Sequence, residues 1–271
     1  MFQTHRVSKS MDELIRELKK SGVLRSKRTE EALRAAPREL FLPESLRERA
    51  YGDDALPIEG GQTISQPYTV VFMLELLQAD ARHIVLDAGS GSGWQSALLA
   101  YLVGPSGHVH AFEIVPELCA FGTENLARLP ELARRVTMHC RSATPGLPEL
   151  SGTIDRIVAA AELKHVSKPS FAAKSHQCER EALAEQEPYR GIRRVRAIGL
   201  RSRNGAIAAE YEVLRHALDP VPAAWREQMK IGGIMVYPSG NSLWREKKIA
   251  ADRFKKEEFP GFAFVPYMDL V

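Results

Sequence analysis

The segment Val85-Leu86-Asp87-Ala88-Gly89-Ser90-Gly91-Ser92-Gly93 decides the fold of this 271-residue chain. A short apolar run leads into a turn with three glycines, and the helical pattern of Trp94 to Val103 follows directly. Glycines let the backbone approach a ligand closely, and the first turn of a helix offers unpaired N–H groups. This strand–turn–helix sequence therefore predicts a binding site for a cofactor.

Glu113 strengthens this prediction because it ends the next strand pattern, His108 to Phe112, 20 residues after Gly93. A carboxylate at such a position accepts hydrogen bonds from ribose hydroxyls in nucleotide-binding α/β folds. Trp94 stands where the dinucleotide pattern G-x-G-x-x-G has its last glycine, which argues against a nicotinamide cofactor. Asp87, two residues before the first glycine, suits a cationic ligand group better than a pyrophosphate.

The remaining patterns alternate strands with helices, which predicts an α/β fold with a mostly parallel, doubly wound sheet. Helical patterns at 8–22 and 28–36 are expected to form an N-terminal cap. A stretch rich in Gly and Pro, 41–67, is expected to be a long functional loop. We expect four segments, namely the cap with an active-site loop (1–66), the cofactor-binding core (67–161), an insertion (162–217) and the rest of the core with the C-terminal strands (218–271).

The segment 162–217 is predicted to be an insertion because connections in such folds normally take about 2–6 residues. It contains 11 basic and 7 acidic residues, whereas the whole chain has 37 and 34. Six arginines and no acidic residue lie within 190–203. This pattern is typical of a solvated face or of a surface that binds nucleic acid or acidic peptides. Its last part, 207–218, fits a strand after the Asn204-Gly205 turn as well as a helix.

The composition excludes several classes of protein. Hydrophobic residues make up 44% and charged residues 26%, values that argue against a disordered or collagen-like chain. No apolar run approaches the ~18 residues of a membrane span, and no signal peptide is expected. The histidines and cysteines do not follow the spacing of zinc ligands, so no metal site is expected. The chain has three cysteines, Cys119, Cys140 and Cys178, and such an odd, sparse set suits a reducing cytoplasm.

The glycine loop resembles motif I of the class I S-adenosylmethionine-dependent methyltransferases. Further motifs resemble those of the protein-L-isoaspartate O-methyltransferases, and the resemblance covers about 1–161 and 218–271. The strand that ends at Ala161 lacks the [Asp/Asn]-Pro-Pro-[Tyr/Phe] loop of enzymes that methylate nitrogen. The motifs that carry the resemblance are PRELF (37–41), YGDDALPI (51–58), GQTISQP (61–67), WREQMKIGGIMV (225–236) and GFAFVP (261–266).

The resemblance implies a Rossmann-like class I methyltransferase fold with an antiparallel C-terminal strand pair. It implies transfer of a methyl group from S-adenosyl-L-methionine to the α-carboxylate of L-isoaspartyl residues in damaged proteins, with Ser65 as the catalytic residue. The family has an Asp near the adenine after the third strand; 139–143 contains none, so Ser142 or backbone is expected to replace it. The other expected cofactor-binding residues are Thr63, Ile64, Asp87, Gly89, Ser90, Gly91, Gly93 and Glu113.

Two alternatives stay open at this point. The missing acid fits a protein that binds S-adenosyl-L-methionine without repair activity, and the arginines of 190–203 fit an RNA-associated protein. The expected partners are isoaspartyl-containing proteins or peptides, and neither a membrane nor a nucleic acid is expected as a partner. We expect a monomer in the cytoplasm.

Overall fold

The computed structural model describes residues 10–163 and 220–264 of the chain. The predicted insertion at 162–217, including the choice between helix and strand at 207–218, therefore lies almost entirely outside the described residues. The division into four segments stays a prediction. By its internal contacts the chain divides into two units, Met1–Leu163 with Pro222–Val271 and Lys164–Val221.

A seven-stranded sheet forms the centre of the first unit. The strands of the described residues, in chain order, are β1 (Leu56–Pro57), β2 (Thr63–Ile64), β3 (Ile84–Ala88), β4 (His108–Phe112), β5 (Val136–His139), β6 (Ile154–Ala159), β7 (Met229–Ser239), β8 (Ser242–Ala250) and β9 (Arg253–Pro260). The order across the large sheet is β5-β4-β3-β6-β7-β8-β9. The pairs from β5 to β7 are parallel, and β8 and β9 add antiparallel pairs. This arrangement confirms the predicted fold class.

The order in which strands are added to the sheet changes side at β3. From β3 the chain passes to β4 and β5 on one side, and later to β6 and β7 on the other. In doubly wound sheets the crevice at such a reversal, outside the carboxyl ends of the strands, is where ligands bind. The glycine loop leaves β3 at this crevice.

Seven α-helices are assigned within the described residues, α1 (Met11–Lys20), α2 (Lys27–Ala35), α3 (Pro67–Leu77), α4 (Trp94–Val103), α5 (Pro116–Ala127), α6 (Pro130–Ala133) and α7 (Ala223–Gln228). The Ser10 hydroxyl caps α1 by accepting a hydrogen bond from the Glu13 amide at 3.3 Å. Helix α3 has no counterpart in the sequence analysis. Most of its residues are buried, so its apolar side chains surround the axis and leave no helical period to detect.

The predicted long loop at 41–67 is more ordered than its Gly and Pro content indicates. It contains short 3₁₀ helices and the antiparallel pair of β1 with β2, in which Leu56 lies opposite Ile64. Both side chains are buried. The resemblance placed the closing strand at 261–266, whereas β9 ends at Pro260 and residues 261–264 follow outside any strand.

Cys119 of α5 and Cys140, directly after β5, form a disulfide with a Cα–Cα distance of 5.6 Å. The sequence analysis treated these cysteines as widely spaced, because the pattern does not reveal that the start of α5 lies beside the end of β5. Among the described residues, no helix has the length and apolar character needed to cross a membrane.

Candidate active site

An open cleft lies at the carboxyl ends of the central parallel strands. Its walls come from the glycine loop after β3, the segment after β4, the segment after β6 and the loop around β2. Seven of the predicted site residues line it, namely Thr63, Ile64, Ser65, Gly89, Ser90, Gly91 and Glu113.

The glycine loop is held on β4 by its own amides. The N–H groups of Gly89 and Ser90 both donate to the carbonyl of Phe112 at 2.9 Å. Gly89, Gly91 and Gly93 all have positive φ, a conformation that glycine adopts without steric cost. The loop therefore uses several of its amides to fix its own shape, whereas a phosphate cradle would leave them free for the ligand. This arrangement suits a cofactor without a pyrophosphate.

Gly93 does not line the cleft, and packing explains why a glycine stands there. A Cβ at this position would lie 3.0 Å from the carbonyl oxygen of Gly122 in α5 and 3.3 Å from Leu126. The residue therefore permits close approach of α5 to the start of α4.

Glu113 is held in a fixed orientation by three backbone amides. Its Oε2 accepts from Gly91 at 2.9 Å, and its Oε1 accepts from Ile114 and Val115 at 2.8 and 3.0 Å. The side chain is buried yet lines the cleft. A carboxylate has about four acceptor positions and the amides occupy three, so capacity remains for one ligand hydroxyl.

Asp87 lies beneath the cleft rather than in its wall. It is fully buried; its Oδ1 accepts from Gln95 Nε2 at 2.8 Å and its Oδ2 from the Ser96 hydroxyl at 2.6 Å. Burial raises the pKa of Asp87 to about 6, and nearby Glu113 adds to the rise, while the two hydrogen bonds oppose it. Gln95 lines the cleft and thus lies between Asp87 and any ligand.

The loop that carries Ser65 contributes another part of the cleft wall. Thr63 and Ile64 are in β2, and Ile64 is buried against the core, which fixes the position of its neighbour. Ser65 lines the cleft and is partly exposed. The hydroxyl of Ser65 is thus available to a ligand from the solvent side.

Ser142 does not line the cleft, although its neighbours Arg141 and Ala143 do. Its hydroxyl accepts from the amide of Thr144 at 3.1 Å. The Arg141 guanidinium lies 4.9 Å from the ring centroid of Phe112, another lining residue.

The sequence analysis missed Arg141, Gln95 and Ile114 as lining residues. Ile114 follows β4 directly, and Arg141 is two residues beyond the end of β5. Their positions just after parallel strands are the signal that could have identified Ile114 and Arg141.

The residues present fit S-adenosyl-L-methionine. The Ser90 hydroxyl is buried, lines the cleft and has no hydrogen-bond partner among the described residues, which marks a place for a polar ligand group. Glu113 offers its remaining acceptor position to a ribose hydroxyl, and Phe112, Ile114 and Leu118 provide apolar walls for a flat base.

The family model of protein-L-isoaspartate(D-aspartate) O-methyltransferase (PCMT) matches residues 9–172. The chain belongs to this family. The enzyme of Ignicoccus hospitalis is 42% identical over 154 residues, which cover 57% of this chain and 72% of that protein. The enzyme of Methanopyrus kandleri is 32% identical over 262 residues, which cover 95% and 91%.

Two solved structures share the fold. One is a candidate protein-L-isoaspartate O-methyltransferase from Plasmodium falciparum in complex with S-adenosyl-L-homocysteine, with a TM-score of 0.66 and 17% identity over 96% of this chain and 99% of that one. The other, named protein-L-isoaspartate O-methyltransferase, has a TM-score of 0.65 and 22% identity over 95% and 65%. At these identities the likeness shows the fold alone.

Membership of the family confirms the predicted activity and cofactor. The chain is an S-adenosyl-L-methionine-dependent methyltransferase that acts on L-isoaspartyl residues of proteins.

Proposed function

We propose that this methyltransferase orients the α-carboxylate of an isoaspartyl residue with the hydroxyl of Ser65, while Glu113 holds the ribose of the cofactor. The observation that carries the proposal is that both residues line one cleft. Ser65 lies on the loop around β2 and Glu113 at the end of β4. A substrate and a cofactor bound in this cleft would therefore meet.

The proposed chemistry needs no general base. A carboxylate is already ionised at pH 7, since ordinary carboxyl pKa values are about 4. S-adenosyl-L-methionine supplies an electrophilic methyl group on a sulfonium ion when bound. The hydroxyl of Ser65 donates a hydrogen bond that orients the attacking carboxylate, and the apolar walls keep water out. Both effects favour the reaction, because the charges of the carboxylate and the sulfonium ion cancel as the methyl group is transferred.

The remaining predicted residues support cofactor binding in this proposal. Thr63 and Ile64 lie along the cofactor, and the glycine loop shapes the wall with Ser90 as a hydrogen-bonding group. Asp87 contributes its charge through Gln95, which lies between it and the cleft. Ser142 acts near the adenine through the segment 141–143, whose Arg141 and Ala143 line the cleft.

Methyl transfer from labelled cofactor to an isoaspartyl peptide tests the proposal, with the aspartyl peptide of the same sequence as the control. Label in the isoaspartyl peptide alone supports it. Binding of S-adenosyl-L-homocysteine without any transfer would favour a binding protein without repair activity, and steeply salt-dependent RNA binding would favour an RNA-associated protein.

We also propose that the chain consists of the four predicted segments. We further propose that it is a monomer in the cytoplasm without a nucleic-acid partner. Disulfides are uncommon in reducing compartments, so the oxidation state of Cys119 and Cys140 in cells distinguishes the cytoplasm from an oxidising compartment. Trapping free thiols in cell extracts tests it. Replacing 162–217 by a Gly/Ser linker tests the segment boundaries, since the remaining core should still bind S-adenosyl-L-homocysteine.

A further inference from the structure

Arg38 is a fully buried arginine whose guanidinium contacts carbonyl oxygens. Its Nη1 donates to the carbonyls of Ala50 and Gly52 at 2.9 and 3.3 Å. Burial lowers the pKa of Arg38 to about 10, while the charges of Asp53 and Asp54 oppose the shift, so the side chain is cationic at pH 7. A buried cation that binds several carbonyls holds the backbone segments that carry them in fixed positions.

The second nitrogen of the fork joins two separate segments. The Nη2 of Arg38 donates to the carbonyl of Asp54 at 2.8 Å, to that of Ser65 at 3.0 Å and, more weakly, to that of Ile64 at 3.5 Å. One guanidinium therefore connects the segment 50–54 to the backbone of the proposed catalytic serine.

Arg38 also contacts the start of the helix that follows the glycine loop. Its guanidinium carbon lies 5.3 Å from the ring centroid of Trp94, a stacking distance for a cation on an indole. Trp94 lines the cleft, and its Nε1 donates to the carbonyl of Ala36 at 3.0 Å. The same side chain thus touches the Ser65 loop on one side and the cofactor-side helix on the other.

We propose that Arg38 is a positioning residue for methyl transfer, which fixes the backbone of Ser65 relative to the glycine loop so that the serine hydroxyl meets the substrate carboxylate. This inference rests on the proposed role of Ser65. Arg38 does not line the cleft, so it acts through Ser65 and not on the ligands. Misplacement of a reacting group by about 1 Å can lower a rate by roughly a hundredfold.

The neighbouring residues of the loop have an anchor of their own. The carboxylate of Asp53 accepts from the amide of Tyr68 at 2.8 Å and from Gln66 Nε2 at 3.1 Å. These contacts fix the start of α3, whereas those of Arg38 fix 64–65. Most residues of α3 are also buried in the core, so loss of the guanidinium fork should loosen Ser65 while α3 stays in place.

Arg38→Lys is the main test, because lysine keeps the charge but cannot form a planar fork to two segments. We expect kcat on an isoaspartyl peptide to fall by about tenfold or more, as hydrogen bonds to a charged group are lost. The Kd of S-adenosyl-L-homocysteine should stay within about twofold of the parent, since Trp94 and Glu113 are unchanged. Rates are expressed per cofactor-binding site, so that unfolded protein does not count as slow enzyme.

Arg128→Lys is the matched control. Arg128 is an exposed arginine that donates to a carbonyl of the cap, that of Leu40, at 2.5 Å. We expect its kcat to equal that of the parent. If Arg38→Lys fails to fold, Arg38→Gln, which keeps N–H donors without burying a charge, takes its place under the same criteria.

A double-mutant cycle with Ser65→Ala separates positioning from a general structural effect. If Arg38 acts through the serine hydroxyl, Arg38→Lys should change kcat by less than about twofold in the Ser65→Ala background. Effects of the two changes that multiply would overturn the inference, as would a parental kcat in Arg38→Lys. If Ser65→Ala itself is as active as the parent, the proposed role of Ser65 fails, and a slow Arg38→Lys then has another cause than the one inferred.

Discussion

The Oε2 atom of Glu113 accepts a hydrogen bond from the amide of Gly91 at 2.9 Å, so the acid proposed to hold the cofactor also holds the glycine loop. The two residues are 22 positions apart and belong to different strand–helix units. The carboxylate is therefore oriented before a ligand arrives, and the loop in turn depends on the carboxylate. Variants of Glu113 should affect both.

Glu113→Gln should weaken S-adenosyl-L-homocysteine binding by roughly ten- to a hundredfold, because a charge-assisted acceptor for a ribose hydroxyl is lost. Isothermal titration calorimetry measures the change. Glu113→Ala should in addition lower the melting temperature, since it leaves three partly buried amides without their acceptor. An unchanged Kd in Glu113→Gln would remove the residue from the cofactor site.

Ser65→Ala should lower kcat on an isoaspartyl peptide by roughly ten- to a hundredfold, the effect of a lost hydrogen bond to a charged group. The affinity for S-adenosyl-L-homocysteine and the melting temperature should match the parent, because the residue is partly exposed. Some activity should survive, since the serine is not a nucleophile in this reaction. A variant with full kcat would contradict the assignment of Ser65.

Asp87→Asn should remove a pH dependence of stability. The pKa of Asp87 is about 6 in the folded protein, above the ordinary 3.8, so the folded state binds the proton more tightly than the unfolded state. The parent is therefore penalised above pH 6 and gains stability as the pH falls from 6 towards 3.8.

Relative to Asp87→Asn, the free energy of unfolding of the parent should rise by roughly 2 kcal/mol between pH 7 and pH 4.5. Asparagine keeps an acceptor for Gln95 and offers a donor to Ser96, so both partners stay satisfied. Urea denaturation of both proteins at several pH values measures the difference. A constant difference across this range would show that Asp87 titrates normally.

The disulfide of Cys119 with Cys140 should stabilise the fold by about 3 kcal/mol, because it closes a loop of 21 residues in the unfolded chain. Cys119→Ser/Cys140→Ser should melt at a lower temperature than the oxidised parent, and a reductant should lower the melting temperature of the parent alone. Thiol titration of the denatured, unreduced parent checks the bond itself. Three reactive thiols would show that no disulfide forms.

The sequence was sufficient for the parts of the site that are local along the chain. The glycine turn between a strand and a helix, and the acid at the end of the next strand, are encoded within about 30 residues. Glu113, Gly89, Ser90 and Gly91 accordingly meet in the lining of one cleft. Helix α3 escaped detection because its apolar side chains surround the axis and leave no period.

Only the tertiary structure decided which residues from distant segments meet. Arg38 binds carbonyls 12 to 27 positions away, Trp94 donates to the carbonyl of Ala36, and Cys119 reaches Cys140. Hydrophobic period and turn chemistry report on the local backbone, because they depend on neighbours in sequence. The partners of a buried polar group depend instead on which faces of the helices and strands pack together. The sequence by itself therefore determined the α/β fold and the place of the cofactor loop, and the packing of the cap on the core decided what surrounds Ser65.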